Sequence, residues 1–279
     1  RDDQRKSWYL AVLHGFYRHS FGSLVKMKIM HRPKLNWLTF LRMYLRSFLL
    51  QASWNFEKLQ NLGFYYMILP GLNNIYGLDV PQETRRQHAD YFNTHPYFAP
   101  LVASTTLRLE RDNCAGVGIS VDAETYKNMV MAPFAAMGDA LFWGGVRPLA
   151  ALIGLLIASQ GSLWAPVVFL LIFNLPHLLF RGGGLILGYV KELRAIETVQ
   201  KCRLPDLAIR LKESTTILIG VLCAYLSFKG CEHQELSAVW GFVTLPIVLL
   251  FAWLAHKGVS SLFLVLLTTS SLLVLALLF

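Results

Sequence analysis

VRPLAALIGLLIASQGSLWAPVVFLLIFNLPHLLFR, residues 146–181, has Arg147 and Arg181 at its ends and no Asp, Glu, Lys or Arg between them. Two apolar runs, Val146–Ser159 and Leu163–Phe180, are separated by Gln160-Gly161-Ser162. A bilayer core takes ~20 largely apolar residues to cross as a helix, somewhat fewer where the ends are buried in protein. The stretch therefore reads as a hairpin of membrane helices. Pro166 and Pro176 fit that reading, because neighbouring helices in a membrane satisfy the carbonyls that a proline frees.

Further along the chain, Thr215–Phe228, Trp240–Ala255 and Val259–Phe279 are apolar in the same way. The whole chain of 279 residues is 54% hydrophobic and 15% charged, with a mean hydropathy of +0.44. Soluble domains carry ~25% charged residues, so a soluble enzyme is disfavoured. No alternating strand pattern, tandem repeat or low-complexity tract appears. The expected fold is an all-α, polytopic integral membrane protein. Its expected parts are a basic amphipathic cytoplasmic arm (1–46), re-entrant or interfacial helices (47–80), a helical interfacial layer on the cytoplasmic side (81–145) and about five membrane segments (146–279). Within the middle parts, Phe64–Tyr76 reads as re-entrant, broken at Pro70-Gly71. Gln82–Phe92 and Thr105–Asp112 read as helices, and Ser120–Met131 as a short helix stopped by Pro133. The four cysteines form no CxxC pair or zinc-like cluster, and a Cys223–Cys231 disulfide stays open.

Charge sets the orientation. Residues 1–46 hold ten Lys and Arg against Asp2 and Asp3, or +8 of the chain's formal +9. Lys and Arg concentrate in cytoplasmic connections. The 181–213 connection, with Arg181, Lys191, Arg194, Lys201, Arg203, Arg210 and Lys212, is expected inside, and so is the N-terminal arm. A basic arm interleaved with aromatics is compatible with nucleic acid. Beside membrane segments it reads instead as a membrane-surface helix, with the lipid bilayer and not nucleic acid as partner. No apolar segment of signal-peptide type follows the first charges.

Three short stretches draw attention as sites. In SFLLQASWNFEKLQNLGF (47–64), helical spacing puts Phe48, Leu49, Ala52, Phe56 and Leu59 on one arc and Ser47, Gln51, Asn55 and Lys58 on another. The bland reading is a surface amphipathic helix. The sharper one is a polar face lining a cavity, since amides both donate and accept as sugar hydroxyls require and a carboxylate adds a charge-assisted bond. Trp54 suits the apolar face of a sugar ring. In MAPFAAMGDALFWGGVRPL (131–149) the charges are Asp139 and Arg147 alone. Either Asp139 caps a helix starting at Ala140 and Arg147 snorkels, or the Gly144-Gly145 break folds them into a pair. In YFNTHPYF (91–98), His95 lacks a Cys or HxxxH partner and reads as structural, as does His177. Gly182-Gly183-Gly184 lacks the strand, spacing and Lys of a phosphate loop. No catalytic constellation, metal site or cofactor motif stands out.

Four ordered segments carry a family resemblance. They are RSFLLQASWNFEKLQNLGF, YFNTHPYFAP, MAPFAAMGDALFWGGVRPLAALIG and VFLLIFNLPHLLFRGGGLILGY. Together they resemble the IID component of the mannose/fructose/sorbose family of the bacterial phosphotransferase system, from about residue 40 to 228. The resemblance implies a bacterial inner-membrane subunit paired with a IIC membrane protein. The pair would carry a hexose that IIB phosphorylates on the inside, after relay of phosphate through IIA and IIB or a fused IIAB. It also implies a trimer of IIC–IID pairs, and a IID chain that is neither phosphocarrier nor catalyst. The QxSWNxExxQ pattern of the family falls on Gln51, Ser53, Trp54, Asn55, Glu57 and Gln60, which are expected to bind sugar or shape the cavity facing IIC. Asn93, His95, Asp139 and Arg147 are expected to gate or to be structural. Where the family has MGPLAGxGD this chain has Ala132 and Ala136, which would stiffen a hinge or fill a close contact. With the long arm, this keeps a IID-like scaffold or receptor without transport as an alternative.

Overall fold

The computed structural model describes residues 35–279, apart from positions 119, 236, 238–241, 243 and 279. Most of the basic arm expected over 1–46 lies outside the described residues. The chain divides into two compact units, to Thr215 and from Thr216.

In the first unit, α1 (Trp37–Ser47) starts where the Asn36 side chain accepts from the Thr39 N–H at 3.0 Å. Such a cap satisfies one of the orphan donors of a first turn. Its buried residues Thr39, Met43 and Ser47 recur every four positions, so one face meets the core. Trp37, Leu41 and Leu45 lie exposed on the far side. α2 (Asn61–Tyr76) runs through Pro70 without a break and buries Phe64, Met67, Ile68 and Leu72. At Gly63 an added Cβ would stand 1.9 Å from the Leu50 carbonyl oxygen, so only glycine admits this approach. α3 (Gln82–His88) is shorter than its sequence suggests. α4 (Ala99–Cys114) is buried along nearly its whole length and is the element the others pack around.

α5 (Ala123–Gly138) starts at an Asp122 cap, passes through Pro133, and continues as a π-helical stretch (Asp139–Val146) into α6 (Arg147–Ala158). The expected stop at Pro133 and break at Gly144-Gly145 do not occur. Proline fits helical φ and removes one hydrogen bond, and the wider i→i+5 pairing absorbs local irregularity without ending the helix. The result is one apolar helix, Ala123–Ala158, that begins 23 residues before the expected Val146. α7 (Ala165–Lys191) likewise continues through Gly182–Gly184. The expected cytoplasmic connection is therefore helical too, as the end of α7, α8 (Arg194–Lys201) and the start of α9 (Leu204–His233).

The second unit holds the rest of α9, then α10 (Thr244–His256) and α11 (Ser261–Leu278). Among the described residues, three helical stretches are long and apolar enough to cross a membrane: Ala123–Ala158, Ala165–Lys191 and Arg194–His233. Leu245–His256 and Ser261–Val274 are apolar but shorter. Cys223 and Cys231 both lie on α9 with free thiols, so no disulfide joins them.

Candidate functional site

Residues 48–60 do not form the expected helix. They make a succession of turns in which Asn55 and Leu59 pair backbone to backbone, at 3.1 and 3.0 Å. Leu59 sits at φ +54°, a left-handed conformation that ends any helical path. The Asn55 side chain directs the local fold. Its Oδ1 accepts from the Lys58 N–H at 2.8 Å, and its Nδ2 donates to Asn61 Oδ1 at 2.9 Å. Asparagine competes with the helix through such local bonds.

The loop is then tied to a second segment. The Gln60 N–H donates to the Phe92 carbonyl at 2.8 Å, and the Phe92 N–H to that of Lys58 at 3.3 Å. Gln60 Oε1 accepts from the Thr94 N–H at 3.1 Å, and Asn61 Nδ2 donates to the Ala89 carbonyl at 2.7 Å. The six residues of the QxSWNxExxQ pattern therefore divide into two groups. Asn55 is half-buried and Gln60 buried, and both hold the loop. Gln51, Ser53, Trp54 and Glu57 are exposed. Phe56, beside them, is 92% exposed and makes an edge-to-face contact with Trp54 at 4.9 Å between ring centroids.

The other sequence candidates fall around the π-helical stretch. Thr94 Oγ1 donates to the Met131 carbonyl at 3.0 Å, and the half-buried Asn93 sends its N–H toward Met131 Sδ at 3.5 Å. His95 is buried and occupies the space left by the missing side chain of Gly138. Its ring stacks on Phe142 at 5.3 Å, with Trp143 at 5.2 Å and Tyr97 at 4.7 Å. His95 Nδ1 accepts from the Tyr97 N–H at 3.3 Å, and Nε2 is buried with no partner among the described residues. Burial, then the nearby charge of Arg181, pushes the His95 pKa down to about 4, so the ring is neutral near pH 7. Asp139 is exposed, and its backbone is helical at φ −62° and ψ −44°, so it is no N-cap of a helix starting at Ala140. Arg147 is exposed too, with its guanidinium carbon 5.8 Å from the Trp143 ring centre. Ala132 and Ala136 are exposed, so their methyl groups fill no close contact within the chain.

Three polar clusters escape a reading by sequence. Arg181, buried on α7, donates to the Ser47 carbonyl at 2.6 Å. Glu110 on α4 accepts from Tyr76 at 2.7 Å and lies 3.0 Å from His88 Nε2, all three tying α2, α3 and α4 together. Burial alone would raise the Glu110 carboxyl, but the His88 and Tyr76 contacts outweigh it and hold it low. Asp112 pairs with Arg108 and Arg111, and Arg108 also pairs with Glu192 at the end of α7. Arg181 was detectable as a charge inside a proline-bearing apolar helix. Glu110 with His88 and Tyr76, and the Arg108–Glu192 pair, were not, since those partners lie far apart in sequence. An open depression of about 640 Å³ along α3, lined by Gln82, Glu83, Arg85, Arg86 and Ala89, holds none of the sequence candidates. Among the described residues no three His, Cys, Asp or Glu converge as a metal site.

Residues 34–229 match the family model described as the PTS system mannose/fructose/sorbose family IID component. The chain is 38% identical to the PTS system mannose-specific EIID component of Escherichia coli (strain K12) over 157 residues, 55% of this chain and 56% of that relative. The match thus spans little more than half the length of the mannose-specific relative. The fructose permease IID component of Bacillus subtilis (strain 168) is 28% identical over 246 residues, 80% of this chain and 89% of the relative. The sorbose-specific EIID component of Klebsiella pneumoniae is 33% identical over 199 residues, 69% and 71%. Among solved structures, one titled only as a membrane protein has a TM-score of 0.66 at 28% identity, covering 85% of this chain and 95% of its own. A cryoEM structure of the mannose transporter ManYZ with microcin E492 has a TM-score of 0.54 at the same identity and coverage.

Proposed function

The chain belongs to the IID components of the mannose/fructose/sorbose family of the phosphotransferase system, and from that premise we propose that it is the IID half of a sugar-translocating membrane pair. With a IIC partner it forms a path for a mannose-type hexose, which IIB phosphorylates on the cytoplasmic side after phosphate relay through IIA. The assembly is a trimer of IIC–IID pairs in the bacterial inner membrane. The five apolar segments cross it, and the N-terminal arm lies inside.

The supporting observation is the loop at 48–60. Asn55, Leu59 and Gln60 fix its backbone, while Gln51, Ser53, Trp54 and Glu57 stay exposed on the held frame. A preorganised loop loses little entropy when it binds. Its exposed groups, an amide, a hydroxyl, a carboxylate and an indole, are the chemistry that hydroxyls and the apolar face of a pyranose require. Asn55 and Gln60 act as supports. Asn93, His95, Asp139 and Arg147 belong to the π-helical region, where helix irregularity accompanies moving or functional parts of membrane helices. The alternative, a scaffold or receptor without transport, rests on Ala132 and Ala136, which are exposed, and on the basic arm, most of which lies outside the described residues.

The test is uptake and phosphorylation of labelled mannose, glucosamine, fructose and sorbose in cells that express the chain with its own IIC, IIA and IIB. Phosphorylation of at least one sugar is expected. An assembled complex that phosphorylates none of a full hexose panel overturns the reading.

A further inference from the structure

Arg181 is 6% exposed, and no carboxylate lies within ion-pair distance of it among the described residues. A buried charge without a counter-ion is strongly disfavoured unless its hydrogen bonds are satisfied. Here Nη1 is bonded at one place, and Nε is buried with no partner among the described residues. Nη1 donates to the Ser47 carbonyl at 2.6 Å and to Ser47 Oγ at 3.1 Å, across 134 positions of sequence. Ser47 Oγ in turn donates to the Tyr44 carbonyl at 2.6 Å, so the serine is held from both sides.

Ser47 is the last residue of α1, and the loop with Gln51, Ser53, Trp54 and Glu57 leaves directly from it. Helix C-terminal carbonyls lack intrahelical donors and carry partial negative charge. A guanidinium at that point fixes where the helix ends and the direction in which the loop departs. The guanidinium carbon also lies over two aromatic rings, with the Phe48 ring centre 4.8 Å away and that of Tyr97 5.1 Å away. Tyr97 stacks on His177 at 4.5 Å and meets Phe142 at 4.7 Å and His95 at 4.7 Å. The root of the loop and the π-helical stretch are therefore joined through one guanidinium and one phenol ring.

We propose that Arg181 is the positioning residue of the exposed 51–57 loop: it sets the loop's departure from α1 through Ser47 and couples it, through Tyr97, to the Asp139–Val146 turn. The proposal rests on the reading of that loop as the sugar-facing element. Its consequence is specific. Loss of the guanidinium misplaces the loop while the IIC–IID complex still assembles, so apparent sugar affinity falls more than maximal rate.

The experiment uses the full complex with its phosphocarriers, and compares Arg181→Met, Arg181→Lys and Ser47→Ala with the unmodified chain. A rise of about tenfold or more in half-saturating sugar concentration is expected for Arg181→Met, corresponding to 1.4 kcal/mol per tenfold. Arg181→Lys keeps a cation at the Ser47 carbonyl but loses the planar guanidinium over the Phe48 and Tyr97 rings, and a smaller rise is expected. Ser47→Ala, which loses only the hydroxyl, should fall near Arg181→Lys. A second readout needs no sugar. A spin label at Ser53→Cys, with the four native cysteines replaced by alanine, should become more mobile in Ser47→Ala and in Arg181→Lys. Unchanged label mobility together with unchanged half-saturation in those two mild variants would overturn the proposal. If the unmodified complex transports no sugar, the functional reading fails alone, and the label still decides the positioning role.

Discussion

Gly138→Ala should destabilise the protein, against the ordinary stabilising effect of a glycine-to-alanine change in a helix. An added Cβ at Gly138 would lie 2.2 Å from His95 Cγ, 2.3 Å from His95 Cβ and 2.8 Å from Nδ1. Carbon atoms in contact normally stand about 3.5–4.0 Å apart. The His95 ring has little room to retreat, because Phe142 and Trp143 crowd it from the helix side and Tyr97 from its own segment. Either the ring or the α5 backbone must shift. Overpacking of that kind costs about 1–3 kcal/mol. Gly183→Ala is the internal control. It makes the same chemical change inside α7, where nothing lies within 4 Å of the new Cβ, and alanine is favoured over glycine in a helix by up to about 1 kcal/mol. The two variants should therefore move in opposite directions. With roughly 2–4 °C per kcal/mol for domains approaching this size, thermal unfolding of the purified protein in detergent should show Gly138→Ala lower by several degrees and Gly183→Ala unchanged or higher. Adding His95→Ala to Gly138→Ala should recover part of the loss, as expected for residues in direct contact. Equal midpoints for the two glycine variants, or no recovery in the double variant, would refute the packing argument.

Three other outcomes follow from the same geometry. Asn55→Ala removes the side chain that serves both Lys58 N–H and Asn61, so it should lower stability by about 1–3 kcal/mol, whereas the exposed Glu57→Ala should stay within about 0.5 kcal/mol; denaturant titration distinguishes them. His95 is held below its ordinary value of 6.5 at about 4 by burial first and the Arg181 charge second, so the unfolded chain binds more protons between those values and stability falls as pH drops from about 6.5 toward 4; His95→Gln should flatten that part of the unfolding-midpoint profile. Glu110 is held low by His88 and Tyr76 against the opposing effect of burial, so its contribution is full above the ordinary carboxylate range near 4.3 and is lost as pH falls through its lower folded-state value; Glu110→Gln should remove this acid-induced loss at the most acidic end of the profile.

The long apolar helices were legible because length and apolar composition decide them locally, whereas the expected count of about five spans meets three long apolar stretches and two shorter ones among the described residues. Residues 146–181 read as a hairpin, and α6 and α7 occupy it. The start of the first helix was not legible, since Pro133 and Gly144-Gly145 are ordinary breakers in water and the sequence does not show that the helix passes through them by way of a π-helical stretch. The 48–60 loop misled in a different way. Its apolar residues recur at helical spacing, but the spacing does not reveal that Asn55 folds back on Lys58 or that Leu59 adopts positive φ. Those choices are fixed by pairing with Phe92 and Thr94, more than thirty residues away. The site was legible as a list of residue types and not as a division of labour: the motif's residues separate into supports and exposed groups only when the partner segment is seen. Arg181 with Ser47 and Glu110 with His88 join elements distant in sequence, and no local period announces them.

The most direct test of the account is the sugar-concentration dependence of uptake with Glu57→Ala, set beside the unmodified chain in an assembled IIC–IID complex with its phosphocarriers. Glu57 is exposed, so the fold should not register its loss. The account predicts normal assembly with half-saturation raised about tenfold or more, the scale of one charge-assisted bond to a sugar hydroxyl. Uptake with unchanged half-saturation and rate in that variant would contradict the assignment of the 51–57 loop to the sugar path.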